Sequence, residues 1–316
     1  MRIGLLLSGQ GAQKAGMGRD LYEQNAAYRA VVDQASDLIG YDFQQEILEN
    51  DEKLAQTQYA QMAIYTMSMG IYAALDDQIK EQVVGAVGLS LGEYTALAIA
   101  GVLTFEQGFK ILQDRGRFMQ VASDATDSKM LVILDKDQDR ILSLIHQAQL
   151  AGATIYPANF NTPKQLVIAG LAEDIDQFAE NLQQEDIKVV PLAVSGAFHT
   201  PFMDSAAAEL TPRLANEAMA PMNVPVYSNT TGAIFDDVKA TLTTQIVSPT
   251  HFSDALLAMQ AQGLDATLEL GPDKTLTKFA KQILDKHVDR YTINDLASFQ
   301  TVTDEIVGEE NNGFKE

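Results

Sequence analysis

Cysteine is absent from the 316 residues, so disulfides, thiolate zinc sites and a cysteine nucleophile are all excluded. Histidine is scarce. The four present, His146, His199, His251 and His287, show no HExxH spacing, and no protein-built metal site is expected. Basic residues are few, 22 Lys and Arg against 43 Asp and Glu, and the formal net charge of −21 repels nucleic-acid phosphates and anionic membrane surfaces. Neither is an expected partner. No apolar run reaches membrane-spanning length. The N-terminal Ile3-Gly4-Leu5-Leu6-Leu7 turns polar too soon for a signal-peptide core and suits a buried first strand, so a cytoplasmic location is expected.

What is present alternates between strand and helix patterns, which argues an α/β fold. The length suits one large domain carrying a smaller insert. The chain is organised around Val87-Gly88-Leu89-Ser90-Leu91-Gly92-Glu93. Upstream, residues 82–87 are apolar and β-branched; downstream, residues 94–100 are strong helix formers. A small-x-Ser-x-Gly turn between strand and helix is a nucleophile elbow, in which glycines let the two elements pass closely around a strained serine. Ser90 is the candidate nucleophile, and a serine that merely caps the helix is the alternative.

The loop after the first strand, Ser8-Gly9-Gln10-Gly11-Ala12-Gln13, invites comparison with a dinucleotide fingerprint, but its third glycine position falls on Lys14 and no acidic residue closes a βαβ unit. It either presents backbone N–H groups and the Gln10 amide towards the serine turn or is an ordinary connection. Residues 26–80 read as helices. A further helix opens at the capping box Thr104-Phe105-Glu106-Gln107, and Ile111, Leu112, Arg115, Phe118, Met119 and Ala122 fall on one face of it. Arg115 thus stands where an apolar residue belongs. Such a guanidinium must snorkel, pair with a protein carboxylate or meet an anionic ligand.

Residues 128–193 follow the order βαββαβ, a ferredoxin-like unit inserted between 1–127 and 194–316. The chain returns through Ser195-Gly196-Ala197-Phe198-His199-Thr200-Pro201, where Thr200 suits an N-cap and Pro201 the first helical position. That leaves His199 on a loop at a strand end, placed for chemistry; the other three histidines read as surface or structural. A strand is predicted at 225–229, a helix near 242–247 and a strand at 266–270, with 304–316 a frayed acidic tail.

Taken in order, GQGAQ, GLSLGEY, RGRFM, NFNTP, SGAFHTPFM and ELGP resemble the malonyl-CoA:acyl carrier protein transacylase family over almost the whole chain. The resemblance implies an α/β-hydrolase-like large subdomain with a ferredoxin-like small one. It implies Ser90 as acyl-accepting nucleophile, His199 as its base, and Gln245 orienting His199 through its main-chain carbonyl. Gln10 and the Leu91 N–H would form the oxyanion hole, with Arg115 holding the malonyl carboxylate and Phe198 beside it in the substrate pocket. Malonyl-CoA and acyl carrier protein are the implied partners, with no cofactor beyond the CoA thioester and a monomer expected. Lys129, Lys164 and Lys188 are candidates for a basic patch facing an acidic carrier protein. The sequence departs from the family at Leu89, where histidine is common, and at Ser8 and Ala12 in the first loop. A serine esterase or thioesterase would use the same elbow with water as acceptor, and a non-catalytic carrier-protein-binding module is a second rival.

Overall fold

Two sheets organise the chain in a computed structural model that describes residues 1–313 apart from Ala12, Ala193 and Ser195, with side chains to Gly308. In chain order the strands are β1 (Ile3–Leu7), β2 (Val83–Gly88), β3 (Ser128–Leu134), β4 (Ile155–Thr162), β5 (Gln165–Leu171), β6 (Lys188–Pro191), β7 (Val226–Tyr227), β8 (Ala266–Leu270) and β9 (Asp289–Ile293). Helices of eight residues or more are α1 (Ala26–Ile39), α2 (Thr57–Ala74), α3 (Gly92–Ile99), α4 (Phe105–Asp124), α5 (Gln138–Leu150) and α6 (Ala172–Gln184). They continue as α7 (Asp204–Ala215), α8 (Val238–Gln245), α9 (Phe252–Gln260), α10 (Thr275–Ile283) and α11 (Leu296–Gly313).

The larger sheet has the order β7-β2-β1-β8-β9 and every pairing in it is parallel. All five residues of β1 and of β8 are buried, as a strand covered on both faces requires, which is why the first strand reads as an unbroken apolar run. The smaller sheet is antiparallel, with the order β4-β5-β3-β6. Its strands alternate. Leu131 and Ile133 face α5 and α6 in a separate small core, whereas Met130 and Val132 face the main body. Backbone bonds stitch it there: Phe160 N–H donates to Thr250 O at 2.7 Å and Thr250 N–H to Ala158 O at 2.9 Å.

Three expectations need correcting. The strand predicted at 225–229 stops at Tyr227, because Asn229 leaves the ladder and gives its N–H to Glu93. The helix predicted near 242–247 runs from Val238 to Gln245, starting where the Asp237 side chain accepts the Ala240 N–H. The acidic tail is helical to Gly313, and Val302 and Ile306, one turn apart, are buried in the main core. The last three residues, and the junction at Ala193, lie outside the described residues. Lys129, on β3, forms an exposed ion pair with Asp176 on α6 at 2.5 Å.

The elbow depends on two glycines. A Cβ on Gly88 would lie 2.0 Å from the Gly92 carbonyl carbon, and one on Gly92 would lie 2.2 Å from Leu7 O, so β1, β2 and α3 meet at backbone contact. Backbone cannot rotate aside as a side chain can. Gly88→Ala is therefore expected to cost at least about 3 kcal/mol of stability. Gly308→Ala, with open space at its Cβ, should gain roughly 0.5–1 kcal/mol. Urea midpoints of the two variants check this, and a Gly88→Ala midpoint equal to wild type would refute the contact.

Candidate active site

β2 ends at Gly88 and α3 begins at Gly92, so Ser90 sits at the carboxyl end of the parallel sheet on the turn between them. Its φ is 54°, a left-handed conformation that a serine holds only where its surroundings enforce it. Gly92 N–H donates to Leu89 O at 2.9 Å and Glu93 N–H to Ser90 O at 3.1 Å, which closes the turn and leaves the hydroxyl facing outward from the sheet. The strand, turn and helix read from the sequence are thus in place.

His199 reaches the same point from the loop that follows β6. Its φ is 61°, and Thr200 holds the loop by donating its hydroxyl to Ala197 O at 2.6 Å and accepting the Phe202 N–H. The imidazole Nε2 lies 2.9 Å from Ser90 Oγ and Nδ1 lies 2.9 Å from Gln245 O. Gln245 is the last residue of α8, so its carbonyl is one of those a helix leaves without an intrahelical donor. With Nδ1–H donating there, Nε2 is the acceptor for the serine proton. His199 is 4% exposed, and burial pushes its pKa down to about 4, helped by the Arg115 charge and opposed by the Gln245 carbonyl. The ring is a neutral base at ordinary pH.

Arg115 is 1% exposed on the inner face of α4. Nη1 donates to Gln61 Oε1 at 2.7 Å; Nη2 donates to Gln245 Oε1 at 2.9 Å and to Ser90 Oγ at 3.2 Å. The guanidinium lies 5.5 Å from the Tyr94 ring centroid, and Nε has no partner. Among the described residues no carboxylate comes within ion-pair distance of it, which removes a protein ion pair from the readings left open by periodicity. It does not snorkel either.

A cavity of about 250 Å³ opens over Ser90 and His199. Gln10, Gln61, Leu91, Met119 and Phe198 line it, and Met130, Val132 and Val167 from the small sheet form its far wall. Arg115 is not on this wall; it lies directly behind Ser90 and Gln61. The side-chain amide of Gln10 donates one hydrogen to Thr57 Oγ1 at 3.2 Å, which leaves its second hydrogen and its main-chain N–H for an anion. Among the described residues neither the Gln10 nor the Leu91 N–H has a protein acceptor. No cluster of three metal-ligating side chains occurs among them either, and no helix is long and apolar enough to cross a membrane.

Two buried carboxyls escaped the sequence reading. Glu93 accepts from Asn229 N–H at 2.5 Å and from Gln245 Nε2, while burial pushes its pKa up to about 8. Glu269, on the cavity wall, accepts from Leu276 N–H at 3.1 Å and Thr277 N–H at 2.6 Å at the start of α10, and burial raises its pKa to about 7. A signal existed for the first. A glutamate followed at once by Tyr-Thr-Ala-Leu in an apolar helix is as anomalous as Arg115 on α4. The partner Gln61, an uncharged residue in a long apolar helix, carried none.

Comparison with known proteins places the chain among acyl transferases. The acyl transferase domain family matches residues 5–305. The chain is 33% identical over 290 residues to the malonyl CoA-acyl carrier protein transacylase of Bacillus subtilis (strain 168), covering 89% of this chain and 90% of that one. The crystal structure of MCAT from Streptococcus pneumoniae superposes with a TM-score of 0.89 at 36% identity, over 96% of this chain and all of that one. A malonyl-transacylase solved in complex with its type II PKS acyl-carrier protein superposes with a TM-score of 0.90 at 29% identity, covering 96% of this chain and 100% of the other.

The depressed imidazole sets a pH test that needs no substrate. A lowered pKa keeps the base neutral as pH falls through 6.5, so labelling of Ser90 by phenylmethanesulfonyl fluoride should hold its rate down to about pH 5 and halve near 4. His199→Ala should label at least about 10²-fold more slowly. An inflection at 6.5 or above would contradict the buried, neutral imidazole.

Proposed function

This chain belongs to the acyl transferase family and is an enzyme, and from that premise we propose that it carries malonyl groups from malonyl-CoA to the phosphopantetheine thiol of acyl carrier protein, through an ester on Ser90. The observation that carries the reading is the convergence of two groups on the Ser90 hydroxyl oxygen: the His199 imidazole at 2.9 Å and the Arg115 guanidinium at 3.2 Å. A base beside the hydroxyl serves any acyl transfer. A buried guanidinium without a carboxylate partner serves an acyl group that brings its own.

In the first step His199 Nε2 takes the Ser90 hydroxyl proton as Oγ attacks the thioester carbonyl carbon, and the negative charge passes to the carbonyl oxygen. The main-chain N–H groups of Gln10 and Leu91 receive that charge, a contact of a kind worth about 2.7 to 4 kcal/mol per donor. The C–S bond then breaks, and the CoA sulfur leaves with the proton from Nε2. In the second step Nε2 takes the proton of the carrier thiol, whose sulfur attacks the ester carbonyl. The C–O bond breaks and Ser90 regains its proton. A thiolate leaves readily, so a carbonyl behind the histidine suffices where an amide leaving group would call for a carboxylate. No cofactor is needed.

The malonyl carboxylate enters this account by position. Ser90 Oγ is within hydrogen-bond distance of Arg115 Nη2 before reaction, so an acyl chain attached to Oγ begins beside the guanidinium. Its carboxylate would displace the Gln61 amide oxygen as the Nη1 acceptor and form a charge-assisted pair in its place. Phe198, Met119 and the small-sheet residues supply apolar walls for the rest of the chain. At the level of architecture we read residues 1–127 and 194–316 as an α/β-hydrolase-like catalytic subdomain and 128–193 as a ferredoxin-like one. The elbow at the carboxyl end of a parallel sheet supports the first, and the strand order β4-β5-β3-β6 under two helices supports the second.

Intact mass after mixing with malonyl-CoA should rise by one malonyl group, map to Ser90, and fall again on adding acyl carrier protein. An acyl group on another residue, or loss to water at the same rate without carrier protein, would sink the transfer. Removing one partner of a desolvated ion pair costs roughly 3 to 5 kcal/mol, so Arg115→Ala should lower malonyl transfer by on the order of 10² to 10³ or more. Acetyl transfer should fall far less, having no carboxylate to lose. Equal falls in both would assign Arg115 to the fold alone.

A further inference from the structure

Glu93 is fully buried, yet it does not line the cavity and takes no part in the two-step reaction. Its neighbours on α3, Tyr94, Ala96 and Leu97, are buried too. A carboxyl in such a place costs desolvation that packing gives no reason to accept. What surrounds it is a set of donors. Asn229 N–H donates to Oε1 at 2.5 Å and Gln245 Nε2 donates to Oε2.

Gln245 forms the other half of the relay. Its Nε2 donates also to Ser90 O at 2.9 Å, and its Oε1 accepts from Arg115 Nη2 at 2.9 Å. A primary amide has one donor end and one acceptor end. With the Glu93 carboxyl and the Ser90 carbonyl at the donor end, the amide presents its oxygen to the guanidinium. Turned over, the amide would aim its hydrogens at Nη2 and its oxygen at Ser90 O, and both contacts would be repulsive.

We propose that Glu93 is a positioning residue for acyl recognition: by fixing the Gln245 amide it holds the Arg115 guanidinium in place beside Ser90, without itself touching substrate. The inference rests on the reading of Arg115 as partner of the acyl carboxylate. His199 is outside this relay, because its Nδ1 uses the main-chain carbonyl of Gln245 and not the side chain. One glutamine thus serves nucleophile activation through its backbone and acyl recognition through its amide, and only the second depends on Glu93.

Glu93→Gln tests this, since it keeps the shape and replaces one of two acceptors by a donor, so that an NH₂ group meets either the Gln245 amide hydrogens or the Asn229 N–H and the fixed pairing is lost. The ratio of malonyl to acetyl transfer should fall at least about tenfold, while Ser90 labelling by phenylmethanesulfonyl fluoride falls much less. An unchanged ratio overturns the proposal. An equal fall in both donors and in labelling also overturns it, since that is the mark of a purely structural role. Side-chain ¹⁵N spectra of Arg115 give a readout without turnover: separate Nη signals in wild type should merge in Glu93→Gln, and unchanged signals count against the relay. A wild-type protein that transfers no malonyl group would defeat the parent reading, and the nitrogen spectra would still decide the role of Glu93. Should Glu93→Gln not fold, Glu93→Asp withdraws the carboxyl by one methylene, with the same fall in ratio expected and an unchanged ratio overturning.

Discussion

A guanidinium sealed from water with no carboxylate beside it is the constraint on which the centre of this protein depends. Arg115 cannot give up its charge, so its hydrogens must be met by neutral acceptors held in fixed directions. Gln61 from α2, Gln245 from α8 and Ser90 from the elbow supply them. Each acceptor comes from a different part of the chain. The requirement to satisfy one side chain therefore draws a helix, a helix terminus and the elbow to a single point, and it brings the candidate nucleophile with them.

Two more buried polar groups follow from the first. The Gln245 amide that accepts from Arg115 must dispose of its own hydrogens, and Glu93 and Ser90 O take them. The Gln245 carbonyl, left over at a helix end, takes the imidazole. Apart from Arg115 Nε, each donor of the network has a fixed acceptor, so it specifies one arrangement strongly and tolerates few others. Its surroundings are built to keep it dry. The parallel sheet lies below, with β1 and β8 buried along their whole length, and the apolar face of the small sheet lies across the cavity.

The two sheets contribute different things. The parallel sheet fixes the elbow at backbone contact, where Gly88 and Gly92 leave no room for a side chain. The antiparallel sheet has its own core against α5 and α6 and meets the main body through the opposite face of the same strands. Strand alternation makes this possible. One set of residues serves the small core while the other lines the cavity over Ser90.

Much of this was legible in the residues themselves. The elbow follows from a β-branched run, a glycine-bracketed serine and a helix former in succession, all local properties. The order of the insert follows from hydrophobic period, and the special position of Arg115 from one charge on an apolar stripe. The sequence could not say which of three fates that arginine meets, because the absence of a carboxylate partner is a fact about distant segments. Gln61 lies 54 positions from it and Gln245 130 positions, and no periodicity records such a meeting. The same limit hid Glu93, whose partners come from β7's end and α8, and it hid the bond from the Gln10 amide to Thr57. The acidic tail was misread for a related reason: composition weighed its charges, but Val302 and Ile306 form helix once they have a core to enter. Local chemistry thus determined the elements and the candidate groups, and tertiary packing decided which buried donor faces which acceptor, since that pairing exists only when the distant segments are together.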